Sequence, residues 1–138
     1  MRIMAIDYGD AHTGIAISDP TGLLAGFTTV INSRRQEVVV EQVTLLATEP
    51  GAEELVLGHP VNMDGTLGPR SEKAKAMKVL LEEATALPVV LWDERRTTID
   101  AHNILFNSGK NAKQRKKVVD AVAASLILEG YLTFKKSH

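Results

Sequence analysis

The order of apolar runs predicts an α/β domain: a mixed five-stranded sheet with helices packed on it. Three observations carry this. Three short apolar runs open the chain, separated only by turns. Strand-like and helix-like periods then alternate to the C-terminus. Acids stand at the ends of two of the strand-like runs, Asp7 and Glu94.

Each element has a local reason. Arg2–Asp7 (RIMAID), Gly14–Ser18 (GIAIS) and Leu23–Val30 (LLAGFTTV) read as strands of an antiparallel meander. The polar turn Gly9–Thr13 and the turn signal Asp19-Pro20-Thr21-Gly22 join them. Glu37–Ala47 reads as a helix, stopped by Pro50-Gly51. Glu54–Gly58 (ELVLG) is a buried-type strand, followed by a Gly-, Pro- and Asn-rich loop over His59–Gly68. Pro69 opens a helix that runs to about Ala86. Val89–Trp92 (VVLW) is the fifth strand, Thr97–Asn107 a further helix closed by Gly109, and Val118–Phe134 the last helix. Asn107–Lys117 reads as a polar, basic, mobile stretch. Strand–helix–strand units imply parallel pairs beside the antiparallel opening.

Composition sets the bounds. The 138 residues are one ordinary domain, spanning 1–138. Apolar residues make up 44 %, enough for a core, and there is no cysteine, so thiolate metal sites and cysteine nucleophiles are excluded. No run approaches a membrane span and no signal peptide is visible, so the expected compartment is the cytoplasm, with no membrane partner. The net charge of −1 hides an asymmetry. Residues 1–94 carry 7 Lys/Arg against 14 Asp/Glu, whereas 95–138 carry 9 against 3. Charge counts alone favour a solvated helix surface; a phosphate-backbone footprint is the reading that gains weight if the acidic part holds a cation site.

Asp7, Glu94 and Asp120 are the candidate metal-binding and catalytic carboxylates. Asp7 and Glu94 end strands, and parallel strands leave their carboxyl ends on the sheet edge where ligands bind. Asp120 lies at the start of the last helix among Val118, Val119, Ala121 and Val122, where an acid is costly unless paired or metal-bound. Oxygen donors select Mg²⁺ or Mn²⁺. Each acid also has a bland reading: Asp7 as a turn former, Glu94 paired with Arg95 or Arg96, Asp120 as a helix N-terminal acid.

Four motifs resemble the YqgF family, Holliday-junction-resolvase-like proteins also described as pre-16S ribosomal RNA nucleases. They are Ile6-Asp7-Tyr8-Gly9 with Gly14–Asp19; Gly58–Gly65 with Gly68-Pro69-Arg70; Trp92-Asp93-Glu94-Arg95 with Thr97-Thr98; and Lys116-Lys117 with Asp120, Ala123-Ala124, Ile127-Leu128 and Gly130-Tyr131-Leu132. The resemblance implies an RNase H-like fold, the trio Asp7, Glu94 and Asp120, and trimming of the ribosomal RNA precursor. The chain departs from the pattern at His12, where the family usually has Arg, and at His59, where it usually has an apolar residue.

Substrate contacts are expected from His12 in the turn after Asp7, from Arg70 at a helix start, and from Arg95 beside Glu94. The basic run Lys110, Lys113, Arg115, Lys116 and Lys117 would follow the phosphate backbone; it has no aromatic for base stacking. His59 reads as a loop residue rather than a general base, His102 as a surface or packing residue, and Thr97 and Thr98 as caps. The leading expectation is a Mg²⁺- or Mn²⁺-dependent endonuclease on structured RNA, acting as a monomer or weak homodimer. The alternatives are a DNA junction resolvase, which needs a two-fold dimer, a non-catalytic RNA-binding factor, and half of a sugar-kinase-like ATPase, which needs a second domain.

Overall fold

The computed structural model describes residues 2–19, 25–59, 68–93 and 112–137, the last segment by side chain only within 122–135. The elements run β1 (Ile3–Asp7), β2 (His12–Ser18), β3 (Ala25–Asn32), α1 (Gln36–Thr48), β4 (Glu54–His59), α2 (Pro69–Thr85), β5 (Val89–Asp93) and α3 (Ala112–Ser137). The sheet order is β3-β2-β1-β4-β5. β1 pairs antiparallel with β2 and parallel with β4, β2 antiparallel with β3, and β4 parallel with β5. The mixed five-stranded sheet expected from the sequence is therefore observed.

β1 is apolar without alternation because both its faces are covered. Ile3, Met4, Ala5 and Ile6 are all buried. Met4 and Ile6, with Ile15, Ile17, Leu55 and Leu57, pack under α1 and α2. The stripes Val39, Val43, Ala47 and Ala74, Met77, Leu81 supply the helical side of that layer at the expected spacing. Ile3, Ala5, Ala16 and Val56 face the other way, onto Ala124, Ile127, Leu128, Tyr131 and Leu132 of α3. Alanines at Ala5, Ala16 and Ala124 leave room for the α3 backbone to lie close to the sheet.

Helix α2 ends where Ala86 takes the left-handed conformation (φ 58°) and returns its N–H to Glu82 O. Helix α3 is held at the foot of β4: the Tyr131 hydroxyl donates to Glu54 Oε1, and Lys135 Nζ lies 3.5 Å from the same carboxylate. Trp92 meets Tyr131 edge-on with ring centroids 5.8 Å apart. No helix among the described residues is long and apolar enough to cross a membrane.

Several boundaries differ from expectation. β2 starts at His12 rather than Gly14, because His12 and Thr13 pair with Asn32 and Ile31 across the hairpin. β3 correspondingly runs on to Asn32. His59 closes β4 instead of opening the loop. The stretch expected to be mobile is helical from Ala112, so Lys113, Arg115, Lys116 and Lys117 ride on the first two turns of α3. Lys, Arg, Gln and Ala are strong helix formers that extend a helix anchored further along. The expected helix over Thr97–Asn107 lies outside the described residues.

Burial first, then the Glu54 bond and charge, hold the Tyr131 hydroxyl well above the ordinary phenol range. It is protonated in both folded and unfolded chains at neutral pH, and above about pH 10 the unfolded chain ionises first. Tyr131→Phe is expected to cost about 1–3 kcal/mol at neutral pH. It is also expected to remove part of the stability loss on raising pH past about 10. Denaturant melts at the two pH values measure both.

Candidate functional site at the carboxyl edge of the sheet

The carboxyl ends of β1, β4 and β5 share one edge of the sheet, and β2 begins there. Asp7 is the last residue of β1 and is half-buried. Strand alternation places it with Ile3 and Ala5, on the face covered by α3. Its partner on β2 is Gly14. On the other side Ile6 pairs with Leu57, so the next residue level with Asp7 is Gly58, which in turn pairs with Trp92. Across this row the carboxylate therefore stands between two glycines, with no side chain beside it on either neighbouring strand. Among the described residues it has no hydrogen-bond or ion-pair partner. A turn former would bond back to its own loop; Asp7 does not.

The turn after Asp7 depends on Gly9. A Cβ built there would lie 2.3 Å from the His12 carbonyl oxygen, a contact that backbone cannot yield cheaply. Gly9 thus lets the chain double back within four residues and bring His12 to the same edge. His12 shares the α3 face with Gly14 and Ala16. Its Nδ1 is 2.7 Å from Asn32 Oδ1. With that oxygen accepting, Nδ1–H donates, so the neutral ring offers Nε2 as an acceptor and only the imidazolium has a second N–H to give.

His59 lies on the opposite face. Its Nε2 is 2.6 Å from Ser71 Oγ, a buried hydroxyl in the first turn of α2. That bond ties the end of β4 to α2 and corrects the loop reading of His59, which is a strand residue. Arg70 is exposed at the start of α2. Lys73, one turn on, reaches Asp10 in the β1–β2 turn at 3.2 Å.

Asp120 is the ninth residue of α3, one helical turn before Ala124. This corrects its expected place at the helix start, and with it the N-terminal-acid reading, because the helix dipole acts only over the first turn. Lys113, Arg115, Lys116 and Lys117 are placed by backbone in the same helix. Glu94, Arg95, Lys110, Thr97, Thr98 and His102 lie outside the described residues; β5 ends at Asp93, immediately before Glu94. Among the described residues no three His, Asp or Glu side chains cluster as a metal site. Residues that the sequence did not single out are Asn32 and Ser71, the partners of the two histidines, and the Asp10–Lys73 pair. Nothing local marks them, since each partner is more than ten residues away. A cavity of about 500 Å³ sits at the far, amino edge between Arg2, Ser18, Phe27 and Pro50, remote from these groups.

This architecture belongs to the class of RNase H-like resolvase folds. The Thermus thermophilus RuvC protein, solved in complex with a Holliday junction substrate, superposes with a TM-score of 0.65 over 99 % of this chain and 96 % of that one, at 14 % identity. The chain itself belongs to the RuvX Holliday junction resolvase family, whose profile matches residues 1–134. A relative from Halothermothrix orenii, named "Putative pre-16S rRNA nuclease", is 43 % identical over 98 % of this chain and 96 % of its own length. A Listeria monocytogenes relative of the same name is 44 % identical, over 96 % of this chain and 97 % of its own.

Gly9→Ala is expected to destabilise the fold by about 1–3 kcal/mol. It should also disturb His12 before it disturbs the α1/α2 layer. Denaturant unfolding gives the first quantity, and histidine proton spectra the second.

Proposed function

We propose that this protein is a divalent-metal-dependent endonuclease that cleaves structured RNA, the pre-16S ribosomal RNA precursor, with Asp7, Glu94 and Asp120 as its metal-binding carboxylates. The observation that carries the reading is the half-buried, unpartnered Asp7 carboxylate between Gly14 and the level of Gly58. A carboxylate left without a protein partner in such a niche is open to a cation. Oxygen donors of this kind fit a hard ion, and the flanking glycines leave space for the ion's own shell.

The chain supplies the remaining positions. β5 ends at Asp93 on the same edge, and Glu94 is the next residue in the sequence. Tyr131 anchors α3 at Glu54, which is paired with Ile3 at the start of β1. From Tyr131 back to Asp120 is about 16 Å of helix, and from Ile3 to Asp7 is about 13 Å of strand. A helix running back over β1 from that anchor would bring Asp120 level with Asp7.

A Mg²⁺ or Mn²⁺ ion held by Asp7, Glu94 and Asp120 would activate a water and offset charge on the scissile phosphate. The carboxylates hold their side of the site by ligation. His12, oriented by Asn32, faces the edge with Nε2 and as imidazolium donates to a phosphate oxygen. Arg70, Arg95 and the run Lys110, Lys113, Arg115, Lys116 and Lys117 hold flanking phosphates, which positions the backbone without reading bases. In the hydrolysis, the water oxygen bonds to phosphorus and gives up a proton to solvent, the phosphorus–oxygen bond to the leaving strand breaks, and that oxygen takes a proton from solvent.

The test is cleavage of a structured pre-16S ribosomal RNA fragment in Mg²⁺, in Mn²⁺ and in EDTA. Wild type should cleave with either ion and not in EDTA. Asp7→Asn, Glu94→Gln and Asp120→Asn should each lose at least ~100-fold, since even groups behind metal ligands are worth 10–100-fold. Equal cleavage by the variants would assign the activity elsewhere. No cleavage by any form would favour a binding role.

A further inference from the structure

A second cluster of cations stands at the same edge, on the other side of the sheet from α3. Arg34 comes from the β3–α1 connection, Arg70 and Lys73 from the first turns of α2, and all three act on Asp10 in the β1–β2 turn. Lys73 Nζ is 3.2 Å from Asp10 Oδ1. The Lys73 bond first, with Arg70 and Arg34 adding, holds the Asp10 carboxyl below the ordinary carboxylate range. Arg34 and Arg70 are exposed, and among the described residues neither has a hydrogen-bond or ion-pair partner. Lys73 alone bonds this carboxylate, and Arg34 and Arg70 add their field to it from neighbouring elements, leaving two positive charges in excess. The neighbouring charges do not cancel them: Arg35 is spent on Glu37 at 2.7 Å, and Lys75 on Glu72 at 3.7 Å.

The Lys73–Asp10 pair is weak. Its side chains are 60 % and 72 % exposed, and such pairs contribute little in water. An incoming anion therefore displaces Asp10 at small cost. The place is also right for a polymer. Asp10 is three residues from Asp7, within about 10 Å along the chain. B-form DNA rises 3.4 Å per nucleotide along its axis, so Asp10 lies at most about three nucleotides of rise from the proposed scissile phosphate.

We propose that Arg34, Arg70 and Lys73 form a second phosphate track for the nucleic acid, opposite the basic turns of α3, and that Asp10 occupies the place of a backbone phosphate until the substrate arrives. The proposal rests on the nuclease reading above and deepens it. It adds Arg34 and Lys73 as substrate-binding residues and gives Asp10 the role of a displaceable stand-in. Substrate is then gripped on both sides of the sheet edge, which favours a duplex or branched region over a single extended strand.

The test is fluorescence-anisotropy binding of a labelled RNA hairpin to the full chain in EDTA, over a salt series. The variants are Arg34→Gln with Lys73→Gln, Arg34→Lys with Lys73→Arg, and Asp10→Asn. The glutamine pair should lower the log–log salt slope by about two. It should therefore reduce by about tenfold the affinity lost over a fourfold rise in salt. The charge-conserving pair should restore the wild-type slope. Asp10→Asn should tighten binding, because the competitor is gone. Wild-type binding with an unchanged slope in the glutamine pair would overturn this inference and leave the nuclease reading standing. Weakened binding by Asp10→Asn would reduce Asp10 to a brace for Lys73 and overturn the stand-in role. A wild type that does not bind the hairpin at all would overturn this inference and leave the nuclease reading to its cleavage test.

Discussion

A strand covered on both faces carries no charge within its length, so the first carboxylate on it stands where the cover ends. β1 meets this constraint with four consecutive buried apolar residues, Ile3 to Ile6, and then Asp7. The two layers that cover it do different work. The α1/α2 layer is built from long aliphatics, Leu55, Leu57, Met77 and Leu81 among them, and supplies most of the bulk. The α3 layer meets the sheet through Ala5, Ala16 and Ala124, with glycine at Gly14 and Gly58 beside Asp7. Small residues there let a helix approach a carboxylate without filling the space around it.

The same division explains the two histidines. His59 falls on the crowded α1/α2 side and is spent on Ser71. His12 falls on the α3 side, where Asn32 holds one ring nitrogen and the other has no partner among the described residues. Alternation along the strands, not proximity in sequence, decides which of them faces the site. The basic groups split likewise. One set rides on the first turns of α3, and Arg34, Arg70 and Lys73 gather on the opposite side around Asp10.

Much of this was legible in the residues. Unbroken apolar runs at β1 and β4 and Pro69 at a helix start marked elements that the structure contains. Asp7 stood out because it ends such a run. The misplacements share one cause: they depend on partners distant in sequence. His12 and Thr13 look like turn residues until Ile31 and Asn32 pair with them. Lys113 to Lys117 lack apolar periodicity, so nothing local shows that they extend a helix anchored by Tyr131. Asn32, Ser71 and the Asp10–Lys73 pair exist only through the fold. The acidic trio as a set came from four ordered motifs, and of its members the structure describes the surroundings of Asp7 alone.

The account turns on whether Asp7, Glu94 and Asp120 hold one metal centre. Iron(II) in place of the native ion, with ascorbate and peroxide, generates hydroxyl radicals that cut the backbone next to the metal. The account predicts a few discrete cuts, near residues 7, 94 and 120, all suppressed by excess Mg²⁺ and lost together in Asp7→Asn. Cuts confined to one of the three segments, or diffuse cutting that Mg²⁺ does not suppress, would contradict it.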